Sequence, residues 1–233
     1  MNLAVIPARG GSTRIPGKAI RPFLDRPIIA YALDAARDSG LFSDIHVSTD
    51  SADIARTVSE LGFPPAFPRD AALGRNEVPL YDVLEWVVDT YAARGKTFES
   101  VCLIYPAAPL LRGRDIQAGY DVFQESRRLH PVVSVAAFPT PIERALRRDP
   151  NGVLRWDRPD RQYSHSQDLG IAYYDCAAFM MMTPAHLKAT SREPFRAMLP
   201  YVVPAERAAD INTEEDLVLA EILALGLATK ERR

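Results

Sequence analysis

Leu3-Ala4-Val5-Ile6-Pro7-Ala8-Arg9-Gly10-Gly11-Ser12-Thr13-Arg14-Ile15-Pro16-Gly17-Lys18 runs a short apolar stretch straight into a turn-rich cationic loop. Leu3 to Ile6 read as a first strand. Gly10 and Gly11 let backbone N–H groups approach an anion closely, because no Cβ stands between. Ser12 adds a hydroxyl donor, and Arg9, Arg14 and Lys18 bring three cations into the same loop. Ligands of α/β folds sit at the carboxyl ends of parallel strands. A triphosphate is the anion that calls for such a set of amides and cations. Two familiar phosphate loops do not fit. A Walker A loop encloses four residues before its Gly-Lys pair, whereas Gly11 to Gly17 encloses five and Ala19 replaces the required hydroxyl. The dinucleotide fingerprint G-x-G-x-x-G is absent.

Outward from this loop, β-rich runs alternate with helical stretches, which predicts βαβ units and a mostly parallel sheet. Pro27 opens a helix carrying Ile28, Ile29, Tyr31, Ala32 and Ala35 that stops near Gly40. Ile45 to Ser48 form a strand, and Asp50 or Ser51 caps a helix ending at Gly62. Pro79 starts a helix with Leu80, Val83, Leu84, Val87 and Val88 on one face and Gly95 after it. Val101 to Ile104 and Val132 to Ala136 are further strands, apolar as strands covered on both sides are. From Pro139 to about Tyr163 the chain turns rich in Pro, Arg and Asp, with a hairpin signal at Asp149-Pro150-Asn151-Gly152. Residues 139–170 are therefore expected to project as an arm from a single domain spanning 1–233, with a homodimer as its natural use. Pro184 to Lys188 give a helical turn and Tyr201 to Val203 a strand. Thr213 to Leu227 close the chain as a helix, with Thr213 and Asp216 at capping-box spacing.

Composition narrows the partners. With 28 Lys and Arg against 30 Asp and Glu, the chain has no global basic field to collect nucleic acid. Cys102 and Cys176 are far apart in apolar runs, which excludes zinc spacing and predicts buried free thiols. No run approaches the roughly 20 apolar residues of a membrane span. The first residues enter a strand without a leader pattern, so cytoplasm is the expected location. His46, His130 and His186 lack ligand spacing and read as surface or structural residues.

The first loop resembles the signature of the CMP-sugar synthetases, the cytidylyltransferases that activate nonulosonic acids and the eight-carbon acid Kdo. The resemblance extends over nearly the whole chain. Val47-Ser48-Thr49-Asp50 is similar to that family's second strand, and Arg69 after Phe67-Pro68 matches a nucleotide-contacting arginine. Ala209 to Asp216 resemble its D-I-D-T-x-x-D motif. The pseudaminic acid branch looks closest, through Ile104-Tyr105-Pro106-Ala107-Ala108-Pro109, Pro141 to Leu146, Ser166-Gln167-Asp168-Leu169 and Ala172 to Asp175. The Ser12–Lys18 stretch is also close to the Kdo branch, but Tyr105 to Pro109 lack that branch's Q-G-D-E-P.

The resemblance implies a Rossmann-like three-layer nucleotidyltransferase fold and transfer of CMP from CTP to an acidic nine-carbon sugar. It implies that Ala8, Arg9, Gly10, Gly11, Ser12, Arg14, Lys18 and Arg69 bind the nucleotide, with Arg9, Arg14, Lys18 and Asp210 catalytic. It assigns a Mg2+ ion to Asp210 and Asn212, and the sugar to Tyr105, Arg144, Gln167, Asp168, Tyr174 and Asp175. Asn212, Ala19 and Leu80 depart from the family pattern. They support the alternative of a non-catalytic relative that binds CTP or a sugar nucleotide.

Overall fold

The computed structural model describes residues 1–12, 14–75 and 77–232. In chain order its elements are β1 (Asn2–Pro7), β2 (Pro22–Phe23), β3 (Arg26–Pro27), α1 (Ile28–Asp38), β4 (Asp44–Ser48), α2 (Ala52–Glu60), α3 (Leu80–Ala93) and β5 (Ser100–Ile104). There follow α4 (Gly113–Glu125), β6 (Val132–Ala137), β7 (Leu146–Arg148), β8 (Leu154–Trp156), β9 (Tyr173–Met182), α5 (Pro184–Lys188), β10 (Leu199–Val202) and α6 (Glu214–Glu231).

The apolar run at the start becomes an interior strand because both of its faces can be covered. β1 pairs in parallel with β4 on one side and β5 on the other, in a six-stranded sheet ordered β10-β6-β9-β5-β1-β4. Strand side chains alternate between faces. Ala4 and Ile6 join the cluster of Ile29, Leu33, Ile54 and Phe123, while Leu3 and Val5 meet Leu84, Val87, Tyr91 and Leu103. Helices thus cover both faces, giving three layers. β9 is the exception to the parallel pattern, running antiparallel to both β5 and β6.

The helices start and stop largely where their residues dictate. Pro27 and Pro79 precede α1 and α3, and Ser51 caps α2 by accepting from the Ile54 N–H. Gly62 and Gly95 follow α2 and α3 with φ of +88° and +80°, a left-handed turn that glycine adopts without steric cost. α4 has no comparable sequence signal, since it begins at Gly113 and carries Gly119 inside. Both glycines are close-approach points. A Cβ on Gly119 would lie 2.5 Å from the buried Phe179 ring, and one on Gly113 2.7 Å from the backbone ending α1.

Between β6 and β9 the chain leaves the main sheet. β7 and β8 pair only with each other, around Asp149, whose carboxylate accepts from the N–H groups of Asn151 and Val153. β9 returns with a break in register. Val135 pairs with Asp175 but Val133 with Met180, and Ala177 adopts a φ of +48°. The buried Ser134 hydroxyl accepts from the N–H groups of both Ala178 and Phe179 and so holds this bulge.

Two buried polar clusters fix the segments that lead to the site. Arg207 bonds both oxygens of Asp115 on α4, one at 2.8 Å, and the Tyr201 hydroxyl donates to the same carboxylate. Burial alone would raise the Asp115 carboxyl, but Arg207 and Tyr201 outweigh it and hold it below its usual value. His46, fully buried on β4, lies 4.3 Å from the Phe67 ring, and neither ring nitrogen has a hydrogen-bond partner. Burial, aided by Arg69 and Arg94, lowers its pKa from 6.5 to about 4. The folded state therefore resists a proton that the unfolded chain accepts. Stability is complete above pH 6.5 and falls as pH drops towards 4, by about 3 kcal/mol. Denaturant titrations across that range should show this decline, and His46→Phe should flatten it.

Candidate active site

The loop after β1 is held by backbone bonds and by one buried side chain. The Ala8 N–H donates to the Ser48 carbonyl at 2.9 Å, carrying the chain over the end of β4. Ile15 is fully buried with Phe23, Ile28, Ile211 and Leu217, so the loop is pinned against the start of α6. Burying one isoleucine contributes roughly 1.5–3 kcal/mol. That anchor sets Arg14 and Lys18 beside the segment entering α6. The Lys18 ammonium donates to the Ile211 carbonyl at 2.7 Å, and Arg14 to the Asn212 side-chain oxygen at 2.7 Å.

The entry to α6 is closed by its own cap. The Asp216 carboxylate accepts from the N–H groups of Asn212 and Thr213, and Thr213 accepts from Asp216 N–H. Glu214 pairs with Arg21. These acids serve the helix end, as first-turn acids do. Asp210 differs: its carboxylate receives the Asn212 amide at 2.6 Å and faces Lys18 and Arg14. Partial enclosure raises its pKa despite those partners.

These elements border a cavity of about 370 Å³ at the carboxyl ends of β1 and β5. Arg9, Arg14, Lys18, Arg69 and Arg75 line it, and no carboxylate does among the described residues. Leu73, Val78, Leu80 and Val83 add apolar lining. Arg69 is buried, with Nε donating to the Ser48 hydroxyl and Nη2 to the Ser48 carbonyl. Lys18 has a lowered pKa, chiefly through burial and further through Arg14 and Arg9, with Asp210 opposing. The geometry is that of a receptor for a polyanion with an apolar head.

The structure brings together at this cavity Ala8, Arg9, Ser12, Arg14, Lys18, Arg69, Tyr105 and Asn212, with Asp210 beside Lys18. Gly10 and Gly11 belong to the loop but not to the lining, and the Gly10 N–H donates to Asp50 at 2.9 Å. The sugar candidates are more scattered. The Arg144 guanidinium donates to the carbonyls of Gln162 and Ser164 within the arm. Gln167 and Asp168 are exposed in a turn at its end. Tyr174 packs on Phe138, and Asp175 accepts from the Ala177 N–H while its charge reaches Tyr105. Sequence reasoning missed Arg75, Leu73, Val78 and Val83 as lining residues. Arg75 carried a usable signal, a cation six residues after Arg69 in the same loop. Val83 did not, since its helical spacing reads as core.

A three-layer sheet with a cationic loop leaving its first strand and a cavity at the strand ends defines an α/β nucleotidyltransferase architecture. Solved structures share it. CMP:2-keto-3-deoxy-manno-octonic acid synthetase in complex with CTP superimposes with a TM-score of 0.69 over 98% of this chain and 99% of that one, at 16% identity. A 4-diphosphocytidyl-2C-methyl-D-erythritol synthase from Anaerococcus prevotii gives a TM-score of 0.60 over 96% of this chain and 98% of that one, at 14% identity. At the level of sequence, the profile of the family described as "Cytidylyltransferase" matches residues 3–217. The pseudaminic acid cytidylyltransferase of Campylobacter jejuni strain 81-176 is 33% identical over 95% of both chains. The CMP-N,N'-diacetyllegionaminic acid synthase of Legionella pneumophila is 34% identical over 58% of this chain and 57% of its own. The chain belongs to the cytidylyltransferase family and is a nucleotidyltransferase.

A cavity with clustered cations and no lining carboxylate should bind inorganic tripolyphosphate without any nucleoside. Tripolyphosphate should raise the melting temperature, by an amount that shrinks with added salt. Arg14→Ala should reduce that rise, as a thermal-shift titration would show.

Proposed function

We propose that the protein transfers CMP from CTP to the anomeric C2 hydroxyl of a nonulosonic acid, pseudaminic acid, and releases pyrophosphate. The observation that carries this reading is the cavity lined by five cations and by Leu73, Val78, Leu80 and Val83. A triphosphate matches the first and a pyrimidine ring the second. The similarity to pseudaminic acid cytidylyltransferase over 95% of both chains supports the sugar.

The sugar hydroxyl attacks the α-phosphorus, the bond to the bridging oxygen breaks, and pyrophosphate departs with the electron pair. Such a reaction asks the protein for alignment and for neutralisation of charge as it develops. Arg14 and Lys18 hold the leaving pyrophosphate, while Arg9 and Ser12 hold the α-phosphate side. Lys18 is suited to this work because burial has stripped part of its hydration and its ammonium donates to a neutral carbonyl, that of Ile211. Arg69, tied to β4, fixes the nucleoside end against Leu73 and Leu80.

The residues fit a magnesium ion that arrives with the nucleotide better than one held in a protein cage. Among the described residues there is no group of three or more His, Cys, Asp or Glu placed to hold a metal. Magnesium bound to nucleotides commonly takes one or two carboxylates and keeps phosphate and water as its other ligands. Asp210 is the carboxylate that would hold it. The Asn212 oxygen accepts from Arg14, so this residue orients Arg14 and Asp210. When bound, the ion would neutralise phosphate charge.

Tyr105 and Asp175 receive the sugar at the mouth of the cavity, with Tyr174, Gln167, Asp168 and the cationic Arg144 on the arm side. The arm, with exposed Leu146, Val153, Leu154 and Tyr163, is read as the dimer contact. No described helix is long and apolar enough to cross a membrane, and a cytoplasmic location goes with CTP as substrate.

Incubation with CTP, magnesium and separate pseudaminic, legionaminic, N-acylneuraminic and Kdo acids should release pyrophosphate with pseudaminic acid. Tight CTP binding without release from any of them would instead identify a binding module. In the same assay Lys18→Ala should lower kcat/KM by about 10²–10³-fold, comparable to the loss of one preorganised oxyanion donor.

A further inference from the structure

Asp50 stands just beyond β4 and outside the cavity lining, yet it contacts both loops that carry the cavity's cations. It is not needed as a helix cap, because Ser51 fills that position on α2. Asp50 Oδ1 accepts the Gly10 N–H at 2.9 Å. On the other side, a Cβ built on Gly74 would lie 2.3 Å from Asp50 Oδ2 and 3.1 Å from its Cγ. Gly10 is also confined, though less tightly, since a Cβ there would lie 3.0 Å from Ser51 Cβ. Two stretches of bare backbone thus close on the Asp50–Ser51 corner.

The neighbouring bonds show what this corner adds. Ser48 and Thr49 already fix one end of each loop, accepting from the Ala8 N–H and the Arg69 N–H, both at 2.9 Å. Beyond those points the first loop runs on to Ser12, Arg14 and Lys18, and the second to Leu73 and Arg75. The Asp50 carboxylate meets both, at Gly10 and at Gly74. Its charge also supports the Arg69 guanidinium against the effect of burial.

We propose that Asp50 is a positioning residue that sets the spacing between the phosphate loop and the Leu73–Arg75 loop, acting through Gly10 and Gly74. It thereby governs affinity for the nucleoside triphosphate without touching it. This rests on the reading of the cavity as a CTP site, which the experiment tests separately.

CTP binding is measured by calorimetry, and pyrophosphate release is followed while each substrate is varied, for wild type, Asp50→Ala, Asp50→Asn and Gly74→Ala. Loss of a hydrogen bond to a charged acceptor predicts that Asp50→Ala weakens CTP binding about ten-fold or more. KM for CTP should rise in step, while KM for the sugar stays within about two-fold. Asp50→Asn keeps an oxygen for the Gly10 N–H and should recover most of the loss. Gly74→Ala, which pushes on the carboxylate from the other loop, should repeat the Asp50→Ala pattern. The proposal is overturned if Asp50→Ala and Gly74→Ala bind CTP as wild type does, if both KM values rise together, or if Asp50→Asn restores nothing. Should Asp50→Ala fail to fold, Gly74→Ala and Asp50→Asn decide on the same criteria. A wild type that does not bind CTP would sink the functional reading itself; normal wild-type binding with indifferent variants would sink only the role of Asp50.

Discussion

Like charges have to be assembled here without being cancelled. Five cationic side chains border one cavity, and the protein keeps carboxylates out of its described lining. Three of them have neutral oxygens as partners. Lys18 leans on the Ile211 carbonyl, Arg69 on the Ser48 hydroxyl and carbonyl, and Arg14 on the Asn212 amide. A carbonyl orients a cation while leaving its net charge for a ligand. An ion pair would hold it more firmly but consume the field that the ligand must feel. Asp210, whose charge acts on Lys18, stays outside the lining, its Oδ2 bonded by the Asn212 amide.

That arrangement survives only because the backbone beneath it is rigid. The loop after β1 contains Ile15, and its burial with Ile211 and Leu217 joins the first and last parts of the chain. Arg207 on Asp115 ties the segment before Asp210 to α4 from the other side. Removing one partner from a buried pair of this kind commonly costs 3–5 kcal/mol. The segment carrying Asp210 is therefore tied both to α4 and to the loop after β1.

Much of this was legible in the residues. Leu3 to Ile6, the proline-opened helices and the Thr213–Asp216 box lie where their spacing puts them, because local rules and tertiary packing agree there. α4 was not legible, since its glycines answer to neighbours distant in sequence: the end of α1 and the ring of Phe179. At the site, Arg9, Ser12, Arg14 and Lys18 could be found because they are adjacent in sequence and follow a strand. The apolar lining could not, since Val83 in a helix shows the same periodicity whether it faces core or ligand. The direction of a backbone amide is likewise invisible in sequence, so nothing predicted that Gly10 would turn its N–H to Asp50.

The bulge at Ala177 divides β9 into two parts with different obligations. Residues 179–182 all pair with β5, and Met180 and Met181 with β6 as well, whereas residues 173–175 pair with β6 alone. Ser134 fastens the boundary between them. The strand behaves as an expansion joint: insertions or altered tilt upstream, from Phe138 to Asp175, are absorbed there before they reach the centre of the sheet. The β7–β8 excursion can therefore be remodelled while the cavity at the ends of β1 and β5 keeps its dimensions.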